Sequence, residues 1–356
     1  MQRVVVFDVA ASMGGAMTVL KSFYREAILY KDIQWIFVLS SNYVEPAENV
    51  TVKTYSWIKK SKLHRLFFDK FIAPTIVKKE APDCVLSLQN INITGVKVKK
   101  ITYVHQSIPF CDYRFSFRDD FVEWLYQNII ARFIFKSIRC SDMVVVQTNW
   151  MKEAVIKKTH ISEDRILVSS PAVTTNAVVH YNHAAESQHK SFFYPAAYAS
   201  YKNHIAIINA VQLLRAEGIY DFEVILTLDS CELPASLQRG DNIRCVGKLS
   251  FEEVQEQYSK SILLFPSILE TFGLPLVEAA IVGSPVIAAD LPYAREVLEN
   301  YENVDYFAPD QASQLAQLMR RHIKGEYIYK LQPENLFTHR FAHSGWKPLM
   351  RYIKES

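Results

Sequence analysis

Two carboxylates separated by seven residues, Glu270 and Glu278, flank the turn Phe272-Gly273-Leu274-Pro275 in the stretch Ile262–Gly283. Ile262–Phe265 is an apolar run of strand length, stopped by Pro266-Ser267, and Pro275 suits the first turn of a following helix. Glu270 then lies in the loop past a strand's C-terminal end, where open α/β sheets bind ligands, and Glu278 lies near the start of the helix. Both acids can face one small ligand. Gly273 lets backbone approach closely, and the unpaired N–H groups of the new helix favour an anion such as a diphosphate. The plain alternative is a strand-loop-helix with two solvated acids. Near the N-terminus Gly14-Gly15 suits a loop that presses backbone against a ligand, or a simple turn; it is not G-x-G-x-x-G, and no acid follows at the distance a ribose requires. His105 sits just past another strand and reads either as a ligand contact or as a structural histidine.

The elements that must carry these residues alternate. Strands are expected at Val4–Ala10, Gln34–Ser40, Val50–Tyr55, Asp83–Leu88, Ile101–His105, Met143–Thr148 and Arg165–Ser169, with helices between most of them. After a polar, aperiodic stretch at 171–188, read as an interdomain linker, strands follow at Phe192–Ala196, Glu223–Leu228, Ile243–Val246, Ile262–Phe265 and Asp305–Phe307. Helices are expected at Asn203–Ala216, at Phe251–Tyr258 behind a Ser250/Glu253 capping box, at Pro292–Glu299 and from near Asp310. Such alternation predicts parallel sheets covered on both faces. A last helix within His339–Glu355 carries Trp346, Leu349, Met350 and Ile353.

The Glu270 to Glu278 motif around Phe-Gly-Leu-Pro resembles the donor site of retaining glycosyltransferases of the group 1 family, which have the GT-B fold. Ala289-Asp290-Leu291-Pro292 through Arg295-Glu296-Val297, and Tyr306-Phe307-Ala308-Pro309-Asp310, are similar to that family's closing segment. Gly14-Gly15, Tyr103-Val104-His105 and Lys202-Asn203 fall where the family places its other site residues, so the likeness covers nearly the whole chain. The resemblance implies two Rossmann-like domains facing across a cleft: residues 1–172, completed by a C-terminal helix in 338–356 that crosses back, and residues 189–337, which bind the nucleotide sugar. It implies that Lys202 meets the phosphates, that His105 reaches the donor sugar, and that the Gly14-Gly15 loop faces donor and acceptor. Glu270 would hold sugar hydroxyls, Glu278 would accept from the ribose, and Lys248-Leu249 would contact the base through backbone groups. Carboxylates suit the hydroxyl-binding tasks because they only accept hydrogen bonds. The family's Gly-Arg pair is missing: Ala196-Ala197 stand there, removing a bidentate phosphate contact. Gln106–Cys111, after His105, is read as shaping an acceptor pocket.

The resulting expectation is a retaining, metal-independent transferase with no cofactor, moving a sugar from a nucleotide diphosphate sugar to a glycan or lipid-linked acceptor in surface polysaccharide synthesis. Two alternatives stay open: a weakened partner subunit of the same fold, suggested by Ala196-Ala197, and a nucleotide-sugar epimerase. At 356 residues, 49% apolar and 22% charged, the chain reads as a two-domain globular enzyme. Five cysteines without paired spacing predict neither a disulfide framework nor a zinc site, and no D-x-D is placed for a metal bridge. The N-terminus shows no leader and there is no long apolar run, so a cytoplasmic location is expected, with contact at the membrane's inner face. Residues 1–180 hold 24 Lys and Arg against 16 acids, and Lys53–Lys79 hold eight against Asp69 alone, which locates the basic excess. That segment has Leu63, Leu66, Phe67 and Phe71 at helical spacing after Trp57. It reads either as a core-facing stripe under a solvated basic face or as a basic amphipathic helix for an anionic membrane. No nucleic-acid-binding pattern accompanies it.

Overall fold

The computed structural model describes residues 1–12, 14–173, 180–182, 190–229, 232, 242–331 and 345–355. The chain divides into two compact units, Met1–Ala172 with Ser344–Ser356, and Val173–His343. Each is α/β, built on one parallel sheet, as the alternating pattern predicts. Most of the stretch read as a linker, together with Cys231 and the start of the tail helix, lies outside the described residues. Within that stretch, Tyr181 belongs to the second unit: its N–H donates to Val282 O at 2.8 Å and its ring stacks 5.8 Å from Tyr329. The four cysteines described are unpaired.

The first unit's strands are β1 Gln2–Asp8, β2 Ile33–Leu39, β3 Val50–Thr54, β4 Cys84–Ser87, β5 Lys99–Tyr103, β6 Met143–Val146 and β7 Ile166–Val168. Their order is β3-β2-β1-β4-β5-β6-β7. The second unit has β8 Lys190–Tyr194, β9 Phe222–Leu226, β10 Ile243–Cys245, β11 Ile262–Phe265, β12 Val286–Ala289 and β13 Val304–Phe307, in the order β10-β9-β8-β11-β12-β13. Both orders run outward from a first strand, reverse, and run outward on its other side, which is the nucleotide-binding Rossmann arrangement. Ligand positions are therefore dictated at the C-terminal ends of β1 and β4 in one sheet and of β8 and β11 in the other.

β12 has no counterpart among the strands expected from sequence. Val286–Ala289 is four residues long and half alanine, a weak strand signal. Its residues are buried and paired on both sides, with β11 and β13. Tertiary pairing makes this strand, not local preference.

Alternation along the first sheet sorts its two faces. Val4, Val6, Trp35, Phe37, Leu86 and Val145 pack with the helix Gly14–Ala27 and with Trp346, Leu349, Met350 and Ile353 of the last helix, Lys347–Lys354. The chain thus returns to complete its first unit. Trp346 makes edge-on contact with Phe23 at 5.0 Å, lies 5.0 Å from Tyr103, and donates from Nε1 to Ser22 Oγ at 3.0 Å. On the other face, Val5, Phe7, Ile36, Val38 and Val85 are covered by Ile58, Phe68, Ala73, Ile76 and Val77.

That covering layer overturns the core-facing stripe. Leu63, Leu66, Phe67 and Phe71 are 76%, 62%, 51% and 52% exposed, while Phe68 is buried. A π-turn at Phe68–Ile72 interrupts the helical period and turns Phe68 inward. Within Gln106–Cys111, Ile108–Phe110 form one 3₁₀ turn and are buried, with Phe110 in the core beside β6.

Candidate functional site

The second unit brings Lys202 and Glu270 together at the strand-order reversal between β8 and β11. After β8 the chain runs through Pro195–Ala199 into a 3₁₀ turn, Ser200–Lys202, and reaches the helix His204–Ala216 through Asn203 at φ 56°. Asparagine tolerates that left-handed conformation better than most residues. Its side-chain amide donates to Pro266 O (3.3 Å) and Pro309 O (2.9 Å), tying the β8 loop to the loops after β11 and β13. Ile268 N–H donates to Tyr201 O at 2.8 Å, and the Tyr194 hydroxyl donates to Lys202 O at 2.9 Å. The turn bearing Lys202 is thus fixed by partners on β8 and on the loops after β11 and β13.

Lys202 Nζ lies 2.5 Å from Glu270 Oε1, which also accepts from Ser267 Oγ at 2.7 Å. The pair is mostly buried, with side chains 21% and 16% exposed. Burial opposes charge on Lys202, but Glu270's negative charge and hydrogen bond outweigh it and hold the ammonium's pKa above its ordinary value. Tyr293, whose hydroxyl donates to Ser267 O, and Tyr194 stay protonated, chiefly through burial and then through the nearby Glu270 charge. The couple is a cation with a carboxylate partner in a low-dielectric wall. A phosphate can take the cation and a hydroxyl can take the carboxylate.

The following turn carries Phe272, Gly273 and Leu274. Gly273 sits at φ +90°, and a Cβ there would stand 3.1 Å from Leu276 Cδ1 and 3.6 Å from the Tyr293 ring, so both conformation and space demand glycine. The helix Leu274–Val282 opens directly behind it with Pro275 in its first turn.

Glu278 falls in the middle of this nine-residue helix and does not join the Lys202–Glu270 couple in any hydrogen bond described. Its Oε2 accepts from the Tyr258 hydroxyl at 3.0 Å, and burial raises its pKa. Tyr258 comes from the helix Phe251–Lys260, whose capping box has both reciprocal bonds, Glu253 N–H to Ser250 Oγ (3.2 Å) and Ser250 N–H to Glu253 Oε2 (2.7 Å). Lys248 and Leu249 lie beyond β10, at the sheet edge three strands from β11. Gly247 before them is at φ +69°, and a Cβ would approach Asp229 Oδ1 at 3.1 Å. Ala197 is exposed, so a longer side chain has room there.

In the first unit, Gly14 and Gly15 are exposed, and a Cβ on either meets nothing within 4 Å. His105 follows β5. Its ring Nε2 lies 3.0 Å from Leu88 O and 3.3 Å from Asn90 Nδ2, and its N–H donates to Asn90 Oδ1 at 2.8 Å. Burial lowers its pKa to about 4, so at neutral pH it is an uncharged imidazole: a hydrogen-bond partner rather than a cation. Ser267, Tyr293 and Tyr258 were not singled out in the sequence. Ser267's position directly after Pro266 at a strand end was the one signal available. Among the described residues no three His, Cys, Asp or Glu groups lie close enough to share a metal ion, and no helix is long and apolar enough to cross a membrane.

Residues 180–335 match the family model for glycosyl transferases group 1. The O-antigen chain mannosyltransferase RfbU of Salmonella typhimurium is 26% identical over 215 residues, 56% of this chain and 57% of that protein. The serotype-specific mannosyltransferase WbdA of Escherichia coli is 24% identical over 276 residues, 72% of this chain and 32% of the relative. The chain thus spans less than two thirds of the length of these curated relatives. Among solved structures, a glycosyltransferase from Rickettsia africae superposes with TM-score 0.70 at 18% identity over 99% of this chain and 98% of the other. Anabaena HepE, solved in complex with UDP-glucose, superposes with TM-score 0.68 at 15% identity over 100% and 99%. These structural likenesses establish the fold: GT-B, with two Rossmann-like domains.

Proposed function

Residues 180–335 belong to the glycosyl transferases group 1 family, and from that premise we propose that the chain is a retaining glycosyltransferase acting in O-antigen-type surface polysaccharide synthesis. Its donor is a nucleotide diphosphate sugar, with mannose the first sugar to test because RfbU and WbdA are named mannosyltransferases. Its acceptor is a glycan or a lipid-linked glycan. The observation that carries this reading is the Lys202–Glu270 couple at the reversal point of the second sheet.

In the free protein each member neutralises the other. Arrival of the donor exchanges partners: the β-phosphate takes the Lys202 ammonium, and Glu270, still oriented by Ser267, accepts hydroxyls of the sugar. As the bond from the sugar carbon to the phosphate oxygen lengthens, negative charge grows on the phosphate. In this reading Lys202 and the N–H groups opening the helix Leu274–Val282 stabilise it. That arrangement supplies leaving-group stabilisation without a metal ion, which makes the reaction metal-independent in this reading. Glu278, braced by Tyr258, accepts from the ribose, and the backbone of Lys248 and Leu249 meets the base. His105 and the Gly14-Gly15 loop serve the first unit's share of substrate binding.

The test is nucleoside diphosphate release. Guanosine diphosphate mannose plus an acceptor should liberate it, and a panel of nucleotide sugars ranked by thermal stabilisation should identify the donor, a ligand at ~100 times its Kd adding about 2.7 kcal/mol. A chain that binds donor but never turns over is the weakened partner subunit that Ala196-Ala197 favours; sugar isomerisation without acceptor marks an epimerase.

The membrane contact in this reading rests on the first unit. The exposed Leu63, Leu66, Phe67 and Phe71 stand among Lys60, Lys62 and Lys70, a combination suited to the anionic inner leaflet of the cytoplasmic membrane. Lys59 is not part of that face: its Nζ donates to Ala11 O at 2.7 Å and to the Tyr43 hydroxyl at 3.0 Å.

A further inference from the structure

Between β5 and β6 the chain forms the helix Phe121–Arg139, in which Phe121–Leu125, a π-turn at Tyr126–Ile130 and Ala131–Arg139 follow one another without a break. Its inner face is accounted for. Ile134 and Ile138 pack with Val104, Phe110, Val144 and Val146, and Gln127 donates to Tyr113 O at 2.6 Å, tying down the loop ahead of the helix. The outer face is not. Val122, Ile129 and Phe133 are 60%, 40% and 56% exposed, and Phe117 and Phe121, in edge-on contact at 5.3 Å, carry the apolar surface past the helix start. Large apolar side chains grouped in this way mark a surface that something covers.

Charge decides what covers it. From Phe117 to Ile138 the sequence carries Arg118, Arg132 and Lys136 against Asp119, Asp120 and Glu123, so this face lacks the basic excess found around Phe67. Acids beside Phe121 and Val122 oppose an anionic leaflet. The two signs are also segregated, acids at the start of the helix and bases toward its end, and Glu123, Arg132 and Lys136 have no ion-pair partner among the described residues. Turning the helix end for end about the midpoint between Gln127 and Asn128 exchanges Asp119 with Lys136, Glu123 with Arg132, Val122 with Phe133 and Tyr126 with Ile129. The face is its own complement: acid meets base and apolar meets apolar. A two-fold contact requires just that, since residue i then touches j while j touches i.

We propose that this face is the interface with a second copy of the chain, the helix Phe121–Arg139 packing antiparallel on its mate. The inference is independent of the transferase reading. A helix face alone makes an interface at the small end of the specific range, so the dissociation constant expected is on the order of 10 µM. Sedimentation velocity of the full chain between about 1 and about 300 µM tests it, bracketing that constant. Phe133→Glu and Val122→Glu, both at exposed positions, should each weaken the dimer about 30-fold or more while keeping the wild-type circular dichroism. Glu123→Lys alone and Arg132→Glu alone should each weaken it about tenfold, and the two combined should restore it to within about threefold of wild type, because the swap re-forms both pairs. Lys60, Lys62 and Lys70 to Glu should leave it unchanged. A wild type that stays monomeric throughout, a dimer indifferent to Phe133→Glu and Val122→Glu, or a charge swap that fails to restore association overturns the assignment. So does a monomer whose co-sedimentation with phosphatidylglycerol/phosphatidylethanolamine vesicles is lost in Phe133→Glu, which gives the face to lipid.

Discussion

Asp8→Asn should change the pH dependence of stability, and the sign follows from burial. An aspartate ordinarily titrates near 3.8; in the folded first unit Asp8 titrates near 7, with burial the main cause and Ala11's N–H, Arg65 and Lys59 only partly opposing it. Between those values the folded state binds more protons than the unfolded state, so stability falls as pH rises through the window. The loss is absent below about pH 4 and complete above about pH 7, where at ~1.36 kcal/mol per pH unit it amounts to about 4 kcal/mol. Asparagine does not titrate and escapes this loss; its amide N–H, like the neutral acid's O–H, lacks a partner. The variant's stability relative to wild type should therefore rise by about 4 kcal/mol between about pH 4 and about pH 8. All five tryptophans, Trp35, Trp57, Trp124, Trp150 and Trp346, lie in the first unit, so tryptophan fluorescence during denaturant unfolding reports that unit. Because every other titrating group is common to both proteins, the difference in midpoint isolates Asp8. A difference that stays constant between about pH 5 and about pH 8 would refute the buried-acid argument.

Glu270→Gln should lower kcat about 100-fold, because sugar orientation matters most in the transition state, while tightening free nucleoside diphosphate by releasing Lys202; Glu278→Ala should chiefly raise the donor KM. Weaker nucleoside diphosphate binding in Glu270→Gln sinks the partner-exchange mechanism. Ala197→Arg should fold normally and bind nucleoside diphosphate about tenfold tighter through a bidentate contact; calorimetry showing weaker binding means another group fills the space. Transfer should survive EDTA, and loss restored by Mg²⁺ or Mn²⁺ contradicts a metal-free leaving group. Co-sedimentation with anionic vesicles should fall sharply in Lys60, Lys62 and Lys70 to Glu and weaken with salt; indifference to lipid charge removes the membrane reading.

The fold class could be read from alternation because parallel strands buried on both faces leave near-continuous apolar runs, as in Val4–Phe7 and Ile262–Phe265. Strand ends could not, since they are set by the neighbouring strand: His105 and Ser169 continue apolar runs yet lie beyond the ladders. Val286–Ala289 escaped because its signal is wholly tertiary. The helical stripe at 63–71 was visible, but periodicity does not say what covers a face, and the π-turn breaks the phase that would have placed Phe68. At the site, Lys202, Glu270 and the Gly273 turn drew notice by type and by resemblance. Their direct pairing, at a sequence separation of 68, is a product of strand order. Asp8 drew none, because one acid ending an apolar run looks like a solvated strand end until its burial and orphaned oxygen are known.

The returning helix Lys347–Lys354 has a consequence for how the molecule is made. A ribosome delivers residues in order, and all of Val173–His343 emerges between Ala172 and the segment bearing Trp346, Leu349, Met350 and Ile353. Until that segment arrives, Phe23, Tyr103 and the odd-even face of β1, β2 and β4 that it seals stay uncovered, while the second unit already has its whole sequence. The unit translated first is therefore the one completed last. Its final contacts, such as Gln2 Nε2 to Ile353 O at 2.6 Å, span 351 positions of sequence and close a long, slow loop. During synthesis the first unit therefore keeps one apolar face open until its last segment emerges.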